Sequence, residues 1–227
     1  QPKPLPIISI SKDDIPPSKA VRDLGVVLDH ELNLQKHINN TCRSAAFGIC
    51  KIGKLRRFLD QANTERLVHA FVTTHLDYCN SLYVNLPHTH IAPLQRIQNT
   101  AARLISRSKK SDHITPVLRS LHWLPVVQRV QFKVLTFVFK VKHGLAPIYI
   151  SDLLVPKKQS TSSRLMRSSS SIHLQFCPGP IPRTRYGNRA FSVAAPSLWN
   201  NLPLHIRSAP SLDTFKTLLK THLMRSV

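Results

Sequence analysis

The chain has 227 residues and carries 32 Lys and Arg against 11 Asp and Glu, which gives a formal net charge of +21. This length corresponds to one large domain or two small ones and is enough to bury a core. A cationic excess of this size is typical of proteins that bind nucleic acid or an anionic membrane surface. Because no apolar run is long enough to span a bilayer, and no amphipathic segment carries aromatic anchors, we favour nucleic acid and expect no membrane partner.

The cysteines favour a reducing compartment. Cys42, Cys50, Cys79 and Cys177 form no Cys-x-x-Cys pair, so a zinc knuckle is not expected. Three of them lie on apolar faces of predicted helices, where free cysteine behaves as a small hydrophobic residue. With no signal-type apolar stretch, we expect a nuclear or cytoplasmic protein. Since the chain starts at Gln1 without an initiator Met, we interpret it as an internal fragment of a longer protein.

The first 32 residues predict a β-hairpin. Residues 5–10 and 20–28 are rich in β-branched and apolar residues and are separated by a turn signal at residues 16–18. Gly25 interrupts the second of these segments. We therefore expect the two segments to pair as adjacent strands.

A long basic helix is predicted over residues 33–58, with Asn33 as its N-cap. At about 100° per residue, its apolar residues lie on one side and its cations within a sector of roughly 120° on the other. Arg56 falls near the apolar side and Phe58 near the basic side. No acidic residue lies between Glu31 and Asp60, which favours a helix laid along a phosphate backbone over a merely solvated face. The cations of this face are Lys36, Arg43, Lys51, Lys54 and Arg57.

Further helices are predicted over residues 62–75, 91–106, 115–120 and 126–142, followed by a short turn at 148–154. Residues 62–75 are expected to be capped by Asp60 or Asn63 and to turn their apolar residues, Leu67, Val68, Phe71 and Val72, inward. Residues 126–142 are apolar on more than one face, which predicts the core helix. Residues 91–106 and the loop after them carry a second set of cations, with no acidic residue between Asp77 and Asp112: Arg96, Arg103, Arg107, Lys109 and Lys110.

The predicted fold is mainly α. A short N-terminal β-hairpin (1–32) precedes a helical bundle (33–154), a disordered basic linker rich in Ser, Arg and Pro (155–187), and a small C-terminal helical unit (188–227). In the last unit, Phe191, Leu198 and Trp199 are the expected anchors, and residues 211–223 predict a terminal helix.

Catalytic chemistry is not expected from this chain. A polymerase or nuclease needs clustered carboxylates to hold Mg²⁺, and the only adjacent acidic pair, Asp13-Asp14, has no third partner. His88 and His90 likewise lack a further metal ligand. Cys79 with His75 is a weak candidate for a nucleophile–base pair, because this spacing on an apolar helix more often reflects packing. We therefore predict no catalytic residue, no metal and no cofactor.

Three strings carry a resemblance to a known family: Leu-Asp-Tyr-Cys-Asn-Ser-Leu at 76–82, Leu-Gln-Arg-Ile-Gln-Asn-Thr-Ala-Ala-Arg at 94–103, and Leu-His-Trp-Leu-Pro-Val at 121–126. In this order they resemble the segment that follows the polymerase centre in reverse transcriptases of LINE-type, Jockey-like non-LTR retrotransposons. Residues 21–26, 142–147 and 192–203 extend the resemblance over nearly the whole chain.

The resemblance implies the primer-grip, thumb and tail region of an RNA-directed DNA polymerase. Leu24 and Gly25 would match the primer grip, and residues 33–58 part of the thumb, which in this family holds the template–primer duplex. The palm, the fingers and the endonuclease of such a parent are missing, so Mg²⁺ is expected only in the parent. The implied function is a non-catalytic grip on RNA–DNA duplex, DNA duplex or RNA.

Two alternatives stay open. The chain could be a retained helical scaffold that binds protein through an apolar surface around Trp123, Phe191 and Trp199, or a non-functional retrotransposon relic. The sequence offers one discriminating feature, the one-sided distribution of cations, and this feature favours nucleic acid.

Overall fold

The computed structural model describes residues 8–10, 13–155, 176 and 187–225. These residues are mainly helical, with short antiparallel strands near the N-terminus, which confirms the predicted fold class. The predicted linker lies outside the described residues except for Val155, Phe176 and Gly187. The strands are β1 (Ile8–Ile10), β2 (Asp13–Ile15), β3 (Ala20–Asp23) and β4 (Val26–Asp29). The helices are α1 (Gln35–Leu55), α2 (Gln61–Val68), α3 (Thr74–Asp77), α4 (His88–Ser106), α5 (Ile114–Ser120), α6 (Val126–Lys142), α7 (Ile148–Ser151), α8 (Phe191–Asn200), α9 (Leu204–Arg207) and α10 (Leu212–Arg225).

The N-terminal strands form two separate hairpins, so the predicted pairing was wrong. β1 pairs with β2, and β3 pairs with β4, both antiparallel. The segment predicted as one strand, residues 20–28, folds back on itself at Leu24 (φ 45°) and Gly25 (φ 84°). Positive φ at both central residues is the geometry of a tight two-residue hairpin turn. Because leucine rarely adopts this geometry, Gly25 is the residue of the pair that signals a turn.

α1 begins one residue later than a cap at Asn33 would place it, because Leu34 occupies the N-cap position with φ 58°. Asp29 fixes the approach to the helix. Its Oδ1 accepts hydrogen bonds from the backbone of Glu31 (3.1 Å) and Asn33 (3.0 Å), and its Oδ2 accepts one from Leu34 (2.7 Å). The Asn33 side chain still accepts a hydrogen bond from the Gln35 amide at 2.8 Å. β4 is thereby connected rigidly to α1.

Between α2 and α3, residues His69–Thr73 form a turn of π-helix. As predicted, Asp60 caps α2, accepting a hydrogen bond from the Asn63 amide at 2.7 Å. The wider turn changes the angular position of the residues that follow, so Phe71, predicted to face inward, is 55% exposed. Val68 and Val72 remain buried. A π-turn is not predictable from helical periodicity, and it often marks a functional position.

α6 is the central core helix, as its sequence predicted. It begins directly after Pro125, and the chain leaves it at Gly144 (φ 66°), where Leu145 N–H donates to Lys140 O at 2.8 Å. This is the hydrogen bond of a Schellman-type helix end. The C-terminal helices pack on α6: the ring of Phe139 stacks on that of Phe215, with centroids 4.4 Å apart, and Trp199 lies 5.7 Å from Phe215. Phe176 also joins this cluster, through the side chain of Asn200.

Candidate nucleic-acid interface

The two basic helices, α1 and α4, lie side by side and run in the same direction. Near their N-termini, the Asn33 carbonyl and His90 Nδ1 are 3.2 Å apart. Near their C-termini, Arg56 donates through Nε to Leu104 O at 2.8 Å and through Nη2 to Ile105 O at 2.9 Å. The cations predicted on α1 and α4 therefore lie on neighbouring helices, and we call the exposed surface of these two helices the α1–α4 basic face.

The predicted nucleic-acid-binding residues are exposed, except Arg103, which is half-buried. Among the described residues, none of these cations forms an ion pair with a carboxylate. A solvated surface normally mixes charges of both signs, so an unpaired set of this kind leaves a region of positive potential. The residues are Lys36, Arg43, Lys51, Lys54 and Arg57 on and just after α1, and Arg96, Arg103, Arg107, Lys109 and Lys110 on and just after α4.

Arg56, which broke the predicted pattern of α1, has a structural role. Besides its two bonds to α4, its Nη1 donates to Leu59 O at 2.7 Å. Burial and the nearby charge of Arg107 both lower the pKa of Arg56. The guanidinium thus joins the C-terminal ends of the two helices, and it brings Arg107 close to α1.

The loop after α4 is held in place by Arg103. Its Nε donates to Lys109 O at 3.2 Å and its Nη2 to Asp112 O at 3.1 Å. The Asp112 carboxylate accepts a hydrogen bond from the Lys109 amide at 2.8 Å. These bonds fix the backbone of the loop while leaving the side chains of Lys109 and Lys110 exposed.

Phe47 is a residue of this face that the sequence did not predict. Its side chain is 62% exposed, although it lies in the middle of the basic sector, one helical turn after Arg43 and one before Lys51. The Lys51 ammonium is 4.4 Å from the centroid of the Phe47 ring, a cation–π distance. The helical angle alone could have revealed it, since an apolar ring among cations is a departure from a purely solvated face.

A groove lies beside Phe47, between α1 and the π-turn. Its volume is about 470 Å³, and Phe71 forms the opposite wall. The two elements approach closely at Gly48, where a Cβ would lie only 2.8 Å from Phe71 O. Its lining among the described residues contains Lys51 and no acidic side chain: Ser44, Phe47, Gly48, Lys51, Ile52, Leu55, Leu67, Phe71 and His75.

Leu24 and Gly25, the primer-grip-like pair, form the exposed tip of the β3–β4 hairpin. Tyr78, from the first of the three strings, donates its hydroxyl hydrogen to Leu24 O. Its ring also lies 3.4 Å from where a Cβ on Gly25 would be. The hairpin tip is therefore attached to the helical body, although the hairpin itself has only two strands.

The three strings meet in space around the start of α6. Gln95 Oε1 accepts a hydrogen bond from the Val126 amide, and the fully buried Gln98 donates to Leu124 O, both at 2.8 Å. Asp77 forms an ion pair with Arg129 at 3.1 Å. Burial raises the pKa of Asp77, while the charge of Arg129 opposes this shift. The strings thus supply a polar network that fixes helix positions.

A second cavity of about 470 Å³ borders this network. Its walls carry charges of both signs, including Glu65, Asp77, Arg129 and Lys133. His75 and Cys79 do not share one helix face, since Cys79 lies beyond the end of α3 with φ 50°. This geometry removes the spacing argument for a nucleophile–base pair.

Within the described ranges, no three His, Cys, Asp or Glu side chains group as a metal site would require. No helix in this part of the chain combines the length and apolarity needed to cross a membrane. Comparisons with protein-family models, with curated proteins and with solved structures found no match.

Proposed function

We propose that this chain is the non-catalytic thumb and tail part of an RNA-directed DNA polymerase, and that it grips a template–primer duplex through the α1–α4 basic face. The observation that carries the proposal is the joining of two parallel basic helices into one surface whose cations have no carboxylate partners among the described residues. The family resemblance of the three strings supplies the type of polymerase. RNA–DNA duplex, DNA duplex and structured RNA are the proposed ligands.

The dimensions of the face suit a duplex. From Lys36 to Lys54, α1 extends about 27 Å at 1.5 Å per residue. Since duplex DNA carries one charge per about 1.7 Å of axis, this length corresponds to roughly eight base pairs. Contacts from Lys and Arg to phosphates carry no direct sequence information, so we expect little sequence preference. Grip of this kind is a positioning function, and the catalytic carboxylates would belong to the palm of such a polymerase.

The test is charge reversal. We expect Lys51→Glu with Lys54→Glu to lower the affinity for an RNA–DNA duplex at least about 60-fold at 0.1 M salt, as the loss of two phosphate contacts implies, measured by fluorescence anisotropy. A matched control is Lys216→Glu with Lys220→Glu on α10, which removes the same net charge from a helix that packs on α6. Equal affinity of the two double variants would show that α1 is not the contact.

A protein-binding scaffold is the second candidate, but not through the surface first expected. Trp123 is 5% exposed and Trp199 is fully buried, so neither can form a docking surface. The observation that favours a scaffold is instead the exposed apolar group around α7: Leu145, Ile148, Tyr149, Leu153 and Val155. A nuclease-resistant complex lost in Ile148→Ser with Tyr149→Ser would support this second function.

A further inference from the structure

We propose that the groove between α1 and the π-turn binds unpaired nucleotides by stacking their bases on Phe47 and Phe71. This inference rests on the proposed function and extends it: the basic face holds the duplex, and the groove receives a single-stranded continuation of one of its strands.

Three phenylalanine rings are exposed on or near the α1–α4 basic face. Phe47, Phe58 and Phe71 are 62%, 73% and 55% exposed, which is unusual for phenylalanine on a surface that is otherwise strongly charged. Two of them are paired with cations: Lys51 Nζ is 4.4 Å from the Phe47 centroid, and Arg57 Cζ is 4.6 Å from that of Phe58. Aromatic rings interleaved with cations are the pattern by which proteins hold single strands, since rings stack on bases while cations neutralise phosphates.

The groove has the size and the lining that this occupant needs. Its volume, about 470 Å³, lies within the usual range of ligand clefts. Its floor is apolar, from Ile52 and Leu67, and its walls are the two phenylalanines. No described side chain of the lining is acidic, so a phosphate at the rim, near Lys51, meets no carboxylate there that would repel it.

The shape of the groove depends on the π-turn. A regular helix through residues 69–73 would turn Phe71 toward the core, as the sequence periodicity predicted. Instead, the contact between Gly48 and Phe71 O holds the two walls at a fixed distance. The walls are therefore preformed, which lowers the entropy cost of binding.

The lining offers few groups that could distinguish one nucleotide from another. Among the described lining residues, the polar side chains other than Lys51 are Ser44 and His75, which are too few to distinguish the base edges or a 2′-hydroxyl by hydrogen bonds. The proposed occupant is therefore any unpaired stretch of nucleic acid, without preference for sequence or sugar. A protein partner would use the same apolar floor but would not require a cationic rim.

The experiment compares two oligomers of equal length on the full 227-residue chain: a thymidine 12-mer and an abasic 12-mer with the same phosphates. We expect the thymidine oligomer to bind about 5- to 150-fold more tightly, the range that corresponds to stacking of one base. In Phe47→Leu with Phe71→Leu, this preference should disappear while affinity for the abasic oligomer and for duplex stays unchanged. Phe137→Leu is the matched control, because Phe137 also lies near a lysine, Lys133, but on α6.

A second readout separates stacking from simple apolar contact. Because Trp123 and Trp199 are buried, Phe47→Trp places the one groove tryptophan where a stacked base would quench its fluorescence. Quenching by the thymidine oligomer and not by the abasic one supports the proposal, and this variant should retain the preference that Phe47→Leu with Phe71→Leu loses.

Equal affinity of the two oligomers for the unaltered chain would overturn the inference while leaving the duplex grip intact. Loss of duplex binding in the Lys51 and Lys54 variant, together with an unchanged base preference, would support both. If neither oligomer nor duplex binds at 0.05 M salt, both proposals fail. If the phenylalanine changes affect only a nuclease-resistant protein complex, the groove is a protein-docking surface and the inference is wrong.

Discussion

Neutralising Lys51 and Lys54 should reduce the salt dependence of duplex binding by a calculable amount. Both side chains are exposed and lie on the same face of α1, and neither pairs with a carboxylate among the described residues. Each phosphate contact contributes about −0.9 to the slope of log K against log salt concentration. Replacing both residues with Gln should therefore make the slope less steep by about 1.8.

The change in affinity follows from the same change in slope. At 0.1 M salt, two lost contacts correspond to a decrease of about 60-fold, and at 0.3 M to about 9-fold. The assay is anisotropy of a labelled 16-base-pair RNA–DNA duplex titrated at four salt concentrations. Lys216→Gln with Lys220→Gln, a double variant of equal charge, should leave the slope nearly unchanged. If both double variants change the slope equally, the binding depends on overall charge and not on the α1–α4 basic face.

Three further predictions concern the framework of the site. Gly48→Ala should lower the free energy of unfolding in urea by about 1–3 kcal/mol, because the new Cβ would lie 2.8 Å from Phe71 O. As a control, Gly53→Ala, whose Cβ would meet no described atom within 4 Å, should be neutral or stabilising by up to about 1 kcal/mol. Similar losses of stability in the two variants would contradict the close approach at Gly48. Asp77→Asn should lower the free energy of unfolding by about 1–3 kcal/mol, because it leaves Arg129 without its ion-pair partner. The double variant, Asp77→Asn with Arg129→Gln, should lose less stability than the sum of the two single variants, and strict additivity would exclude a coupled pair. Burial lowers the pKa of His37 below its usual 6.5, so on acidification the unfolded state takes up the proton first. The free energy of unfolding should therefore decrease as the pH drops below 6.5. His37→Gln should reduce the difference between the urea midpoints at pH 7.5 and pH 5, and an unchanged difference would show that His37 does not contribute.

Local signals predicted much of the fold. Pro125 and Gly144 bound α6 as the sequence indicated, and Asp60 caps α2. The predicted long basic helix corresponds to α1 and to the 3₁₀ turn that follows it, Arg56–Phe58, and differs from them at its first turn. These features depend on residues within a few positions of each other, and their chemistry is visible in the sequence.

The structural features that the sequence did not predict have a different physical origin. Leu24 takes a positive φ that leucine seldom adopts, and the π-turn moves Phe71 out of helical register. Neither leaves a signal in composition or periodicity. Arg56 is an exception to the apolar and basic sides of α1 in the sequence, but its hydrogen-bond partners, Leu104 and Ile105, lie far away in the chain. Phe47 is the one groove residue that the helical angles of α1 could have revealed.

The three strings show the same limit. Taken alone, they suggested no chemistry, because each supplies only part of a network. Gln98 on α4 finds its acceptor on Leu124, and Asp77 on α3 finds its cation on Arg129, only after these distant segments have come together. Side-chain hydrogen bonds between distant segments are not encoded in any local pattern.

The bond between Arg56 and α4 also has an electrostatic consequence. A helix carries about half a negative charge at its C-terminal end, and α1 and α4 place two such ends together. Left bare, this pair of ends would repel a phosphate chain. Arg56 covers the last carbonyls of α4, and Lys54 and Arg107 lie at the same ends. The two helix ends therefore present cations, and a polyanion that bound to this face would not be repelled there.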